Sequence, residues 1–223
     1  MSDTVCFNCD TVFCIDATDS MGSFISEFRR FVPSLNSIVV KCFEENDKDF
    51  GKLRVRFIFF RDFGYDKEPM VESQFFVLPE ETEEMMSFLK WQEGCGGGDR
   101  PESALEAISL AIDSEWSRAW GTRQAVVLFT DSDAHPLGEH SRIPGYPENM
   151  PKDFDELTER WENNGENGFK RIRSSLLLFC PADISFAQQT YEWHGSFHLQ
   201  LNPTEITCED LVKNLTDYYN FIS

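Results

Sequence analysis

The run Thr11-Val12-Phe13-Cys14-Ile15 is short, apolar and β-prone, and it ends directly in Asp16-Ala17-Thr18-Asp19-Ser20-Met21-Gly22. The residues that follow place Phe24, Ile25, Phe28, Phe31, Val32, Leu35, Ile38, Val39 and Cys42 on one helical face, so the spacing predicts one long amphipathic helix. A buried strand running through a hydroxyl-rich loop into a helix predicts an α/β fold. In open α/β sheets, ligands bind at the carboxyl ends of the strands, which is where this loop falls. Asp16, Thr18 and Ser20 offer only oxygen, a donor set that suits a hard divalent cation, Mg²⁺ or Mn²⁺ before Zn²⁺.

Beyond the first helix, Leu53–Phe60 reads as a strongly apolar strand, and a second strand is expected from Glu72 to Leu78. The short link between them predicts an antiparallel hairpin at a sheet edge. Pro79-Glu80-Glu81 opens a helix through Met86, Phe88 and Leu89. Gly96-Gly97-Gly98-Asp99-Arg100-Pro101-Glu102 precedes another helix, with Ala104, Leu105, Ile108, Ala111, Ile112 and Trp116 on one face. The strand Ala125–Thr130 then ends in Asp131. Residues 132–150, rich in Pro and Gly without apolar periodicity, predict a long loop at the proposed metal edge, the kind of segment that commonly carries function. An acidic helix at 152–163, a turn at 165–168, a strand at 173–180, a helix near 184–193, a strand at 196–201 and a helix at 204–221 complete the reading.

Three motifs in this order resemble the metal-ion-dependent adhesion site of von Willebrand factor A domains. The resemblance covers nearly all of the chain and implies one Rossmann-like domain over residues 1–223. Its sheet would have about six mostly parallel strands with one antiparallel edge strand, and helices on both faces. Residue by residue, it implies that Asp16, Thr18 and Ser20 form the first metal-binding segment and that Asp131 is the aspartate ending the fourth strand. Where many members have a Thr, this chain has Asp99-Arg100-Pro101-Glu102, similar to the Asp-x-Pro-Glu of integrin β subunits, which nominates Glu102 as a ligand. That pattern also implies a second cation, Ca²⁺, near Asp62, Asp99, Glu102 and the Pro101 carbonyl. Helix capping by Asp99, and for Asp62 an ion pair with Arg61 or Arg54 or a place in a turn, are the plainer alternatives. Asp131-Ser132-Asp133-Ala134-His135-Pro136 is similar to a stretch in bacterial members associated with atypical kinases. His135 would there orient a metal-bound water or touch a partner; His140, His194 and His198 have no such support.

An ion held by few carboxylates and several hydroxyls remains underneutralised. In the family a partner's Asp or Glu completes the shell, so the expected function is metal-dependent protein binding without catalysis. Two alternatives stand beside it. One is a metal-dependent phosphohydrolase or phosphotransferase using Asp16; the other is a structural subunit with a decayed site. Thr18 stands where haloacid-dehalogenase-like enzymes carry a second acid, and no nucleophile elbow or P-loop occurs, which argues against the first.

With 20 basic and 39 acidic residues the net charge is −19, which disfavours nucleic acid and anionic membrane as partners. The acid clusters at 44–47, 80–84 and 148–159 read as solvated faces and helix starts, with a docking surface for a basic partner as the alternative. Seven cysteines in mostly apolar patterns, with no signal-peptide pattern and no long apolar run, predict a reducing, cytoplasmic setting. Cys6-Phe7-Asn8-Cys9 has the spacing of half a zinc site, with no visible second half.

Overall fold

Alternation of buried and half-buried positions along residues 49–60, and near-continuous burial along residues 9–16 and 174–180, mark strands covered on both faces. In a computed structural model describing residues 6–98 and 100–223, these are the centre of an α/β sheet. The strands are β1 (Cys6–Asp16), β2 (Asp49–Phe60), β3 (Met70–Glu72), β4 (Phe76–Leu78), β5 (Thr122–Phe129), β6 (Ser174–Cys180) and β7 (Ser196–Gln200). They lie in the order β3-β2-β1-β5-β6-β7, with β4 also paired to β2. The pairs β1–β2, β1–β5, β5–β6 and β6–β7 are parallel, whereas β3 and β4 run antiparallel to β2. The expected edge is therefore present, but as two three-residue strands in place of one, giving a sheet of seven. Ser73 lies between them and donates its hydroxyl to the Gln74 carbonyl, accepting in turn from the Phe57 amide.

The helices are α1 (Gly22–Phe31), α2 (Leu35–Glu45), α3 (Thr82–Leu89), α4 (Ala104–Ile112), α5 (Phe154–Glu162), α6 (Ser185–Thr190) and α7 (Cys208–Ile222). The single long helix expected after Gly22 is two, joined by a 3₁₀ turn at Val32–Ser34. Pro33 is the cause, since it has no N–H to continue the ladder and its ring crowds the preceding turn. The apolar face survives the break: Phe24, Phe28, Phe31, Leu35 and Val39 are all buried.

Parallel strands need cover on both faces, and two apolar layers supply it. On one, Phe13, Phe57 and Phe129 pack against Phe24 and Phe28 of α1, with Leu211, Leu215 and Tyr219 of α7 beside them. On the other, Val12, Cys14, Val126 and Leu176 face Ala107, Ile108 and Ala111 of α4, with Trp161 of α5 and Trp193 completing the layer. Several buried polar groups within these layers are paired. Thr11 shares a 2.9 Å hydrogen bond with Tyr219, and Ser175 a 2.6 Å bond with Tyr218. Arg54 makes a two-pronged contact with buried Asp10, donating from Nε at 2.9 Å and Nη2 at 2.5 Å. Arg54 is thus committed to Asp10 and not to Asp62.

The seven cysteines are free thiols. Cys6 is exposed while Cys9, on the same strand, is buried, so the pair does not present two ligands to one face. No described helix is long and apolar enough to cross a membrane.

Candidate functional site

Asp16 is the last residue of β1 and is fully buried at the carboxyl edge of the sheet. Its Oδ1 accepts from the Thr18 amide at 3.0 Å and from the Thr18 hydroxyl at 2.7 Å. Its Oδ2 accepts from the Thr130 hydroxyl at 2.8 Å. A carboxylate has roughly four lone-pair directions, so three donors leave one, on Oδ2. Because Thr18 spends its hydroxyl proton on Asp16, the lone pairs of that oxygen point elsewhere, and Ser20 Oγ lies 3.3 Å away. Ser20 is exposed and Thr18 buried, so the pair of hydroxyls reaches from the sheet edge to solvent.

Burial pushes the Asp16 carboxyl up to about 6, against the lowering effect of the Thr18 and Thr130 hydrogen bonds; nearby Asp131 adds to the rise. A buried carboxylate held this way gains from a cation more than a solvated one does, since the ion offsets the cost of ionising it.

The glycine-rich loop closes over this edge. The Cys95 amide donates to the Ala17 carbonyl at 2.9 Å and the Asp19 amide to the Gly96 carbonyl at 3.3 Å. Gly97 has φ +80°, and a Cβ there would lie 3.0 Å from a Thr18 methyl and 3.1 Å from Glu102 Oε1. Only glycine fits, and the same geometry brings the Glu102 carboxylate beside Thr18. Glu102 is buried, just before α4, and its backbone is stapled to the long loop: its amide donates to the Asp133 carbonyl at 2.8 Å and its carbonyl accepts from the His135 amide at 3.0 Å. Asp131, half-buried, follows β5 on the neighbouring strand end. Asp16, Thr18, Ser20, Glu102 and Asp131 therefore lie at one end of the sheet and offer oxygen donors of the kind that suit Mg²⁺ or Mn²⁺, but the carboxylates of Asp16, Glu102 and Asp131 do not bring their oxygens within 4.8 Å of one another. Asp99 lies outside the described residues.

Asp62 takes a different place. Fully buried after β2, it accepts from the Gly64 amide at Oδ1 over 2.6 Å, and two imidazoles face it. His135 Nε2 stands 3.6 Å from Asp62 Oδ2, and His140 Nδ1 stands 3.6 Å from Oδ1. Neither Asp62 Oδ2 nor His140 Nδ1 has a hydrogen-bond partner among the described residues. Arg61, the other suggested partner of Asp62, donates instead to the carbonyls of Cys95, Glu93 and Glu68. Sequence reasoning singled out Asp62 and His135 but found no support for His140, whose signal is the paired histidines of the loop after Asp131.

That loop, residues 132–150, carries no helix or strand and is pinned by side chains. Tyr146 donates to Glu106 Oε1 of α4 at 2.9 Å, accepts from the Gly138 amide at 3.3 Å, and sets its ring 5.0 Å from that of Phe63. Thr130, unremarked in the sequence, is the second residue revealed by the fold: its hydroxyl links Asp16 to the Ser132 amide, which it accepts at 3.1 Å.

No protein-family model matches the chain, and no curated protein matches it in sequence. Solved structures do share its fold. A pilus adhesin, SpaC from Lactobacillus rhamnosus GG, is similar at a TM-score of 0.59 and 10% identity, over 96% of this chain and 31% of the adhesin. Its open conformation gives 0.57 at 10% identity, over 97% and 30%. Proximal thread matrix protein 1 from the mussel byssus is similar at 0.54 and 11% identity, over 96% of this chain and 47% of the matrix protein. The chain thus spans between 30% and 47% of the length of these proteins, and at such identities the likeness is one of fold.

Proposed function

We propose that this chain is a metal-dependent protein-binding module of the von Willebrand factor A type, in which Mg²⁺ or Mn²⁺ is held at the Asp16–Thr18–Ser20 loop and completed by a partner's Asp or Glu. The observation that carries the reading is the Thr18 hydroxyl. Its proton is given to Asp16, so its lone pairs, together with those of exposed Ser20, are left for a cation. Glu102 and Asp131 flank that position, and Asp16 would take part through its remaining Oδ2 lone pair or through a bound water. The ion would supply a Lewis-acid anchor for an external carboxylate; the protein supplies few negative ligands, so that affinity for an anion persists. A fold shared with a protein named as a pilus adhesin supports a binding role.

The test is capture of carboxylate-bearing partners from source lysate on immobilised protein, with Mg²⁺ or with EDTA, and on the S20A variant. Binding should require metal, fall away in S20A and tolerate moderate salt, because the contact is a coordination bond rather than a screened pair. A partner retained in both EDTA and S20A would show that the metal is not the contact.

A further inference from the structure

Among the described residues, one group of acid, histidine or cysteine side chains brings its ligand atoms within 4.8 Å of one another, and it is Asp62, His135 and His140. From it we propose a second metal site, distinct from the all-oxygen edge and chemically different from the Ca²⁺ pocket the sequence suggested: a nitrogen-rich site for Zn²⁺.

Three observations carry it. Asp62 Oδ2 lies 3.6 Å from His135 Nε2 and Oδ1 lies 3.6 Å from His140 Nδ1, too long for hydrogen bonds, and one ligand atom from each residue falls within 4.8 Å of the others, close enough for a carboxylate and two imidazoles to share one ion at ~2.1 Å. Next, Asp62 Oδ2 and His140 Nδ1 are buried polar atoms without a hydrogen-bond partner among the described residues, and both belong to this cluster. Such atoms are normally satisfied, and a cation between them would satisfy both. Finally, Glu139 Oε2 lies 3.2 Å from His135 Nδ1, on the side of the ring away from Asp62. A carboxylate there holds the proton on Nδ1 and turns the Nε2 lone pair toward Asp62, the arrangement by which outer carboxylates orient zinc-binding histidines.

Gly64 completes the enclosure: a Cβ at this position would lie 3.0 Å from His140 Nε2 and 3.2 Å from Asp62 Oδ1. Two imidazoles and one carboxylate favour Zn²⁺ over Mg²⁺ or Ca²⁺, and three protein ligands leave a fourth position for water. The ion would tie the 135–140 loop to the end of β2. Since the His135 amide also bonds the Glu102 carbonyl, the same ion would stiffen one wall of the Asp16 edge.

The experiment uses Co²⁺ as the spectroscopic probe for Zn²⁺, on metal-free full-length protein in which exposed Cys6 and Cys95 are replaced by serine to remove thiolate ligands. One Co²⁺ per chain should give the intense visible bands of four- or five-coordinate cobalt, bleached by one equivalent of Zn²⁺. H140A and D62A should abolish the bands, E139Q should weaken Zn²⁺ binding ~10–100-fold, and D16A should retain them. Only the weak spectrum of hexaaqua cobalt would overturn the proposal, as would bands that persist in an H135A/H140A double variant or vanish in D16A. If the histidine variants do not fold, the unmutated imidazole nitrogens decide by NMR: two of the four histidines must shift on adding Zn²⁺, and none shifting refutes the site. Retention of the cobalt site in D16A separates this result from the Mg²⁺-dependent binding proposed above.

Discussion

The hydroxyl of Thr130 donates to Oδ2 of Asp16 across 2.8 Å, joining the ends of two neighbouring parallel strands through one buried bond. The same oxygen accepts from the Ser132 amide and so sets the direction in which the chain leaves β5 toward Asp131. Replacing Thr130 by Val keeps the shape and removes both roles. T130V should cost ~1–3 kcal/mol, the price of a buried carboxylate losing a donor, measured by urea denaturation without divalent metal. A loss within ~0.5 kcal/mol of zero would mean that water replaces the hydroxyl.

Millimolar Mg²⁺ or Mn²⁺ should stabilise the fold by RT ln(1 + [L]/Kd), ~2.7 kcal/mol at 100 times Kd, and D16A should erase the shift. Proton and cation compete for Asp16, whose carboxyl is raised to about 6 by burial first, with Thr18 and Thr130 opposing. The stabilisation by Mg²⁺ should therefore be full near pH 8 and fade as pH falls through about 6. Thermal melts across that range, with and without EDTA, test both statements; indifference to metal at every pH would refute them.

Glu106 is buried within α4, and burial raises its carboxyl to about 7 despite the Tyr146 hydroxyl donated to it. The neutral form is thus favoured by the fold. Its contribution is complete below the unfolded value near 4.5 and is lost as pH rises through about 7, up to about 3 kcal/mol in all. Gln at this position still accepts from Tyr146 and does not ionise. E106Q should match the parent near pH 4 and exceed it in stability at pH 8; parallel stability curves for the two proteins would contradict the assignment.

Not all ion pairs here carry equal weight. Asp10 is buried and takes both prongs of Arg54 along with the Ser117 amide at 2.7 Å, whereas Arg171 and Glu162 meet at a half-exposed surface. D10A leaves a guanidinium facing the sheet without its partner and should cost roughly 3 kcal/mol. E162A should cost less than ~1 kcal/mol, and less still at high salt. Equal losses in the two variants would show that Arg54 finds water when Asp10 is gone.

Much of the fold is legible in local pattern. The strands at Thr11–Ile15 and 173–180 show as short continuous apolar runs, because both faces of a central parallel strand are covered, and the helical face from Phe24 to Cys42 repeats with the period of its element. Pro33 was visible too, and its effect on the helix follows from its missing N–H alone. Asp16, Thr18 and Ser20 sit within one loop, so the strand-to-helix turn by itself brings them together. The tertiary structure decided the rest. Only the β1–β5 register places Thr130 against Asp16, and only the path of an irregular loop, pinned by Tyr146 on Glu106, brings His140 to Asp62. A loop has no period to read; its course is fixed by contacts with residues distant in the chain, and those exist only once the sheet has formed.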